Sequence, residues 1–124
     1  MDNIFTTAKT QNSKQRTNEY YVYVGNEDFI DDNNNLRSEV DDDRVLAKKI
    51  YRDNGSSKLM IKCDSYNKPF NPDNQMESAN RTVASYTQGS KFVTVSDKAF
   101  EHYLKFLQSK NTNLMKFYWK WTMI

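Results

Sequence analysis

Asp31, Asn33, Asn35 and Asp42 stand at the first, third, fifth and twelfth positions of the spacing used by a calcium-binding loop. Hard oxygen donors at these intervals wrap a cation when the chain turns sharply between them. That turn needs glycine at the sixth position, and Leu36 stands there. The eighth position wants an apolar residue, and Ser38 stands there. The stretch is therefore expected to be a solvated acidic loop that binds no calcium. Cys63 and His102 are the only thiol and the only imidazole. A nucleophile and its base must meet in space, and no feature of the sequence brings these two together. One Cys and one His cannot make a zinc site, and a lone Cys makes no internal disulfide. Gly25, Gly55 and Gly89 are scattered, so no glycine-rich loop is available to cradle a phosphate. Carboxylates are plentiful, but no general acid–base pair stands out. The expectation is a chain that is not an enzyme, with no catalytic residue, no cofactor and no metal.

The other chemically suggestive stretch is residues 113–124. Leu114, Met115, Phe117, Tyr118, Trp119 and Trp121 crowd into it, followed by Met123 and Ile124. Lys116 and Lys120 interleave with the rings, a pattern that suits stacking on single-stranded nucleic acid. The same residues suit a contact with the domain's own core or with a neighbouring subunit, because Tyr, Trp and Met are rich at interfaces. Leu114, Phe117, Tyr118 and Trp121 fit one face of a helix, whereas Phe117, Trp119 and Trp121 fit one face of a strand. The expected role is an interface segment made by Leu114, Met115, Phe117, Tyr118, Trp119 and Trp121, with other protein subunits as partners.

These groups have to be held by a scaffold, and its clearest part is residues 90–111. Phe92, Val93, Thr94 and Val95 are strand formers. Ser96 supplies an N-cap oxygen, and Asp97 places a negative charge at the positive end of a helix dipole. Val95 and Phe100 have the spacing of a hydrophobic staple. Phe100, Tyr103, Leu104 and Leu107 recur on one helical face, with Lys98, His102, Lys105 and Ser109 on the other side. Lys110 and Asn111 form a basic last turn and a polar stop.

Before that helix, residues 1–18 read as a polar arm. Residues 19–24, with Tyr20, Tyr21, Val22, Tyr23 and Val24, read as a strand ended by Gly25. Residues 26–35 read as an acidic loop. Residues 41–52 carry acid in front and base behind, which favours a helix. The alternative is a hairpin, since Asn54-Gly55 is a turn signal and residues 58–63 read as a strand. The prolines at 69 and 72 suit an edge segment. Residues 81–86 read as another short strand. The fold expected is α+β, a small antiparallel sheet with a C-terminal amphipathic helix packed on it. The domain plan is an arm at 1–18, one domain at 19–112 and an aromatic segment at 113–124.

With 124 residues the chain makes one domain. Charged residues are 27% and hydrophobic ones 37%, so its core is small and burial in an assembly would help it. An aromatic share of 14% argues against full disorder. The net charge is only +2 but is unevenly spread. Acid dominates residues 27–43 and lysine dominates residues 91–124, and such a dipolar surface suits head-to-tail or hetero-contacts. No run approaches the ~18 apolar residues of a membrane span, so no membrane partner is expected. No apolar N-terminal run suggests a signal peptide, and a reducing compartment is compatible with a single cysteine.

Residues 58–72 have the shape of a strand, a polar turn and a Pro/Asn-rich exit. Lys91-Phe92-Val93-Thr94-Val95-Ser96 and then Tyr103-Leu104-Lys105-Phe106-Leu107-Gln108-Ser109-Lys110-Asn111 follow. With the Asn, Lys and Tyr-rich composition, this resembles small virion-associated proteins of tailed, crAss-like phages. The resemblance covers under half of the chain and leaves out the aromatic segment. It implies a non-enzymatic structural protein of a phage head, neck or tail, an oligomer component found in the host cytoplasm and the assembled virion. The alternative is a small nucleic-acid-binding or host-inhibitory phage protein that uses the basic aromatic segment.

Overall fold

Ser96 caps a helix as the spacing predicts. Its Oγ accepts the amide of Ala99 at 3.2 Å, and its carbonyl accepts that of Phe100 at 3.0 Å. The computed structural model describes residues 14–74, 76, 80–89, 91–110 and 116–123. Its elements in chain order are β1 (Lys14–Tyr23), β2 (Val45–Tyr51), β3 (Ser57–Lys62), α1 (Val83–Thr87), β4 (Phe92–Thr94), α2 (Asp97–Lys110) and β5 (Phe117–Met123). The five strands form one sheet in the order β4-β3-β2-β1-β5, and each neighbouring pair is antiparallel. A small antiparallel sheet with an α-helix packed against it makes this an α+β fold.

The pleat gives each face its own cover. Val93, Ile61, Ala47, Val22 and Phe117 are cross-strand partners in one row that runs through all five strands. Cross-strand partners share a face, so this row meets α2 through Phe100, Tyr103, Phe106 and Leu107. Phe106 lies outside the predicted apolar face. It is buried because Phe70 and Tyr86 pack beside it, with ring centroids 5.2 and 5.7 Å away. Leu104, predicted on that face, is only half-buried.

The opposite face is covered by the acidic loop. Leu36 and Val40 pack there with Tyr21, Tyr23, Val45 and Tyr118, helped by Phe29 and Ile30. The stretch expected to be solvated thus carries two of its side chains into a second core, while Asp32, Glu39, Asp41 and Asp42 stay exposed. Leu36 also bridges the outer edge of β5, donating to Trp119 O at 2.7 Å and accepting from Trp121 N at 3.0 Å. This bridge blunts an edge strand that would otherwise offer free backbone groups.

Three expectations need correction. Residues 41–52 are not a helix. Asp41 caps only a 3-10 turn at Asp42–Arg44, accepting the Asp43 amide at 3.0 Å, and Val45 leaves it extended. β2 then pairs on both sides, and the hairpin to β3 turns through Asn54 and Gly55, whose φ of 85° suits glycine. Its apolar pattern does not alternate because β2 is buried on both faces and a register shift falls at Val22/Tyr23 opposite its start. Residues 81–86 are not a strand either. Thr82 caps α1, and its side chain accepts the Ser85 amide at 3.3 Å. Finally, β1 begins at Lys14, so residues 14–18 of the expected polar arm belong to the sheet. The rest of that arm lies outside the described residues.

The return from α1 to β4 passes close behind β3. A Cβ on Gly89 would come within 1.9 Å of Cys63 O, so only glycine fits there.

Candidate functional site

Within the aromatic segment Phe117–Met123 forms β5 against β1, and the strand pleat divides side chains between two faces. Phe117 and Trp119 point to the α2 side, and Tyr118 and Lys120 to the acidic-loop side. Leu114 and Met115 lie outside the described residues.

On the α2 side, Phe117 sits across from Val22 and Trp119 across from Tyr20. Tyr20 pairs in turn with Lys49, and Lys49 with Leu59. The rings form a ladder. Phe100 lies 6.3 Å from Phe117, Phe117 5.3 Å from Tyr20, Tyr20 4.7 Å from Trp119 and Trp119 5.4 Å from Tyr51. The buried core on this side takes in Phe100 and is flanked by Phe117 and Leu59. Tyr20, Trp119 and Tyr51 continue the ladder beyond it and are half-buried among the described residues. Lys49 Nζ lies 5.4 Å above the Tyr51 ring, a cation–π distance, and Arg52 follows, exposed.

The other face is a lysine row under an acid turn. Lys48 and Lys120 both lie over the Tyr21 ring, at 5.3 and 5.5 Å. Lys48 meets Glu19 at 3.8 Å, Lys120 meets Asp42 at 3.9 Å and Lys62 meets Asp43 at 3.9 Å. Lys62 and Lys120 also donate to the carbonyls of Asp42 and Val40, at 2.9 and 3.3 Å. Lys62 is 1% exposed. Burial lowers the pKa of its ammonium, and the charges of Asp43, Asp42 and Asp41 oppose that shift. Tyr21 is pushed up by burial first, then by the charge of Glu19 and by its own 3.0 Å hydrogen bond to Glu19.

The calcium-like residues do not converge. Asp31 Oδ1 accepts the amides of Asn33 and Asn35, both at 2.9 Å, and Oδ2 accepts the indole N–H of Trp121. Asp42 instead faces Lys120. Among the described residues no three carboxylate, thiol or imidazole groups come together as a metal site would need. The Asp31 turn has a twin at Asp64, whose Oδ1 accepts the amides of Tyr66 and Lys68 at 2.9 Å. Asn34 and Asn67 take the matching left-handed positions, with φ of 66° and 62°. Oδ2 of Asp64 is held by Arg81 Nε at 3.4 Å.

Cys63 is buried at the end of β3, and burial pushes its thiol pKa up, away from a nucleophilic thiolate. His102 is half-exposed on α2. A polar cleft of about 290 Å³ lies between the Asp64 turn and α1, lined in part by Tyr66, Lys68 and Arg81. The Arg81 guanidinium there is already engaged by Asp64, by Pro69 O at 3.1 Å and by the Tyr86 hydroxyl at 3.0 Å. Its arrangement is that of a strut between the turn and the helix.

No match is found among known protein families, curated proteins or solved structures. The site therefore rests on this chain's own geometry. Of the expected contact residues Phe117, Tyr118, Trp119 and Trp121, the strand brings Phe117 and Trp119 together on one face and buries Tyr118 in the second core. Tyr20, Lys49 and Tyr51, their partners, were missed. The strand reading of residues 45–51 would have supplied the register that finds them. No helix among the described residues is long and apolar enough to cross a membrane.

Proposed function

We propose that the chain is a non-enzymatic structural or interaction subunit that works by contact with other protein subunits. The observation carrying this reading is the ring ladder, which continues past the buried core as half-buried Tyr20, Trp119 and Tyr51. Large rigid rings beside a cation are the residue types that anchor interfaces. The sequence resemblance suggests the assembly, the particle of a tailed phage, with the chain passing from host cytoplasm into the virion. The nucleic-acid or host-inhibitory alternative draws less support. Lys120 is held by Asp42 on the face opposite Phe117 and Trp119, so that lysine and those rings do not share a surface.

The test is quantitative mass spectrometry of gradient-purified particles from the phage encoding the chain. A fixed copy number in the particles is expected. Abundance in the lysate with none in the particles would overturn the virion reading.

A further inference from the structure

We infer that the face carrying Tyr20, Lys49, Tyr51 and Trp119 docks on the acidic loop, residues 27–43, of a second copy of this chain. The inference rests on the reading of the chain as an assembly subunit and names the contact.

The fold uses one pattern twice within itself. Lys48 lies over the Tyr21 ring and meets Glu19, and Lys120 lies over the same ring and meets Asp42. Each is a ring, a cation and a carboxylate stacked in sequence. Lys49 repeats the first two parts on the other face, 5.4 Å above Tyr51, and no carboxylate of the described residues lies within ion-pair distance of it. Arg52, three residues on, is exposed where the hairpin turn begins. The missing part is an acid.

The chain carries that acid on its opposite side. Glu27, Asp28 and Asp32 are exposed on the loop that covers the far face of the same sheet. A basic aromatic surface and an acidic surface thus face opposite ways on one molecule. Two copies that match them must meet head to tail, because a two-fold contact would bring like surfaces together. Half-buried rings of Tyr and Trp would supply the apolar centre, and the charges would set the register and on-rate.

The test is sedimentation velocity of the full chain. The wild type is expected to associate with rising concentration at low salt and to weaken about tenfold or more at high salt, as exposed ion pairs are screened. Lys49→Gln with Arg52→Gln removes one surface, and Asp28→Asn with Asp32→Asn removes the other. All four positions are outside the buried core, and melting curves check that both variants fold. Each variant alone is expected to stay monomeric. Mixed in equal amounts they should form dimers and nothing larger, since one basic face and one acidic face remain in the pair. A wild type that is monomeric at both salts, or an association that neither variant weakens, overturns the inference. Binding of a fluorescent oligothymidine that is lost in Lys49→Gln with Arg52→Gln assigns the face to nucleic acid and also overturns it. A chain that is monomeric yet present in particles loses this contact but keeps its proposed function.

Discussion

Trp121 donates its indole N–H to Asp31, a residue 90 positions earlier, and so ties the edge strand to the acidic loop. The other oxygen of Asp31 holds the turn itself through the amides of Asn33 and Asn35. One carboxylate therefore fixes both the shape of the loop and its seat on the sheet. Trp121→Phe leaves a smaller aromatic ring and removes one charge-assisted bond, which alone should cost about 1.5–3 kcal/mol. Asp31→Ala should cost more, because three donors lose their acceptor. Urea unfolding of both single variants and the double variant checks this, and the pair should be non-additive.

The same carboxylate sets an acid limit. Burial raises the Asp31 pKa, but the hydrogen bonds from Asn35, Trp121 and Asn33 and the charge of Arg37 outweigh it and leave it below the ordinary 3.8. A depressed folded pKa gives stability that is present above 3.8 and lost as pH falls through the folded value. Asp31→Asn should flatten the fall in melting temperature below about pH 4.

Tyr103 lies in the core with its hydroxyl buried and without a hydrogen-bond partner among the described residues. Burying such a hydroxyl is costly. Tyr103→Phe should therefore be neutral or stabilising by about 1 kcal/mol. On the same face, Leu107→Ala should cost about 2–5 kcal/mol. Denaturant titration of the two variants should move the midpoint in opposite directions or leave the first unmoved.

Gly89→Ala meets a backbone oxygen at 1.9 Å, which cannot move aside as a flexible side chain can. The expected loss is about 1–3 kcal/mol or more. Thermal melts should show it, whereas Gly55→Ala meets no atom within 4 Å and pays only for its φ of 85°.

Alkaline pH should unfold the chain. Burial is the first cause that raises Tyr21, Tyr23, Tyr103 and Tyr118 above the ordinary value of 10.0. The folded state keeps protons that the unfolded chain releases, so stability is present below pH 10.0 and lost above it. Tyrosinate absorbance should rise together with loss of the fold.

The legible parts of the fold are the local ones. Ser96, Val95 and Phe100 lie within one turn of the element they define, so cap, staple and apolar face could be read together. β2 is not legible locally because what makes it a strand lies far off, in residues 19–23 and 57–61. An acid triplet at 41–43 looks the same before a long helix as before a single 3-10 turn. The second core has no local signature because Leu36 and Val40 are isolated among polar residues, with no periodicity to mark them. At the candidate site, ring-rich composition draws the eye to Phe117 and Trp119, while the Tyr20, Lys49 and Tyr51 beside them depend on register, which no local pattern carries.

The pairing of β1 with β5 also orders events in time. Lys14 and Met123 are register partners, so the first strand waits for the last before its outer edge is covered. During synthesis β2, β3 and β4 can join β1 earlier, leaving Tyr20, Tyr21 and Val22 on an open edge. Loop closure on that scale is slow, and an open edge templates pairing with other chains. A ribosome that stalls after Lys110, or a protease that cuts there, would release a four-stranded intermediate with a sticky border. Such fragments are expected to aggregate, and a synthetic peptide spanning residues 116–123 should relieve it.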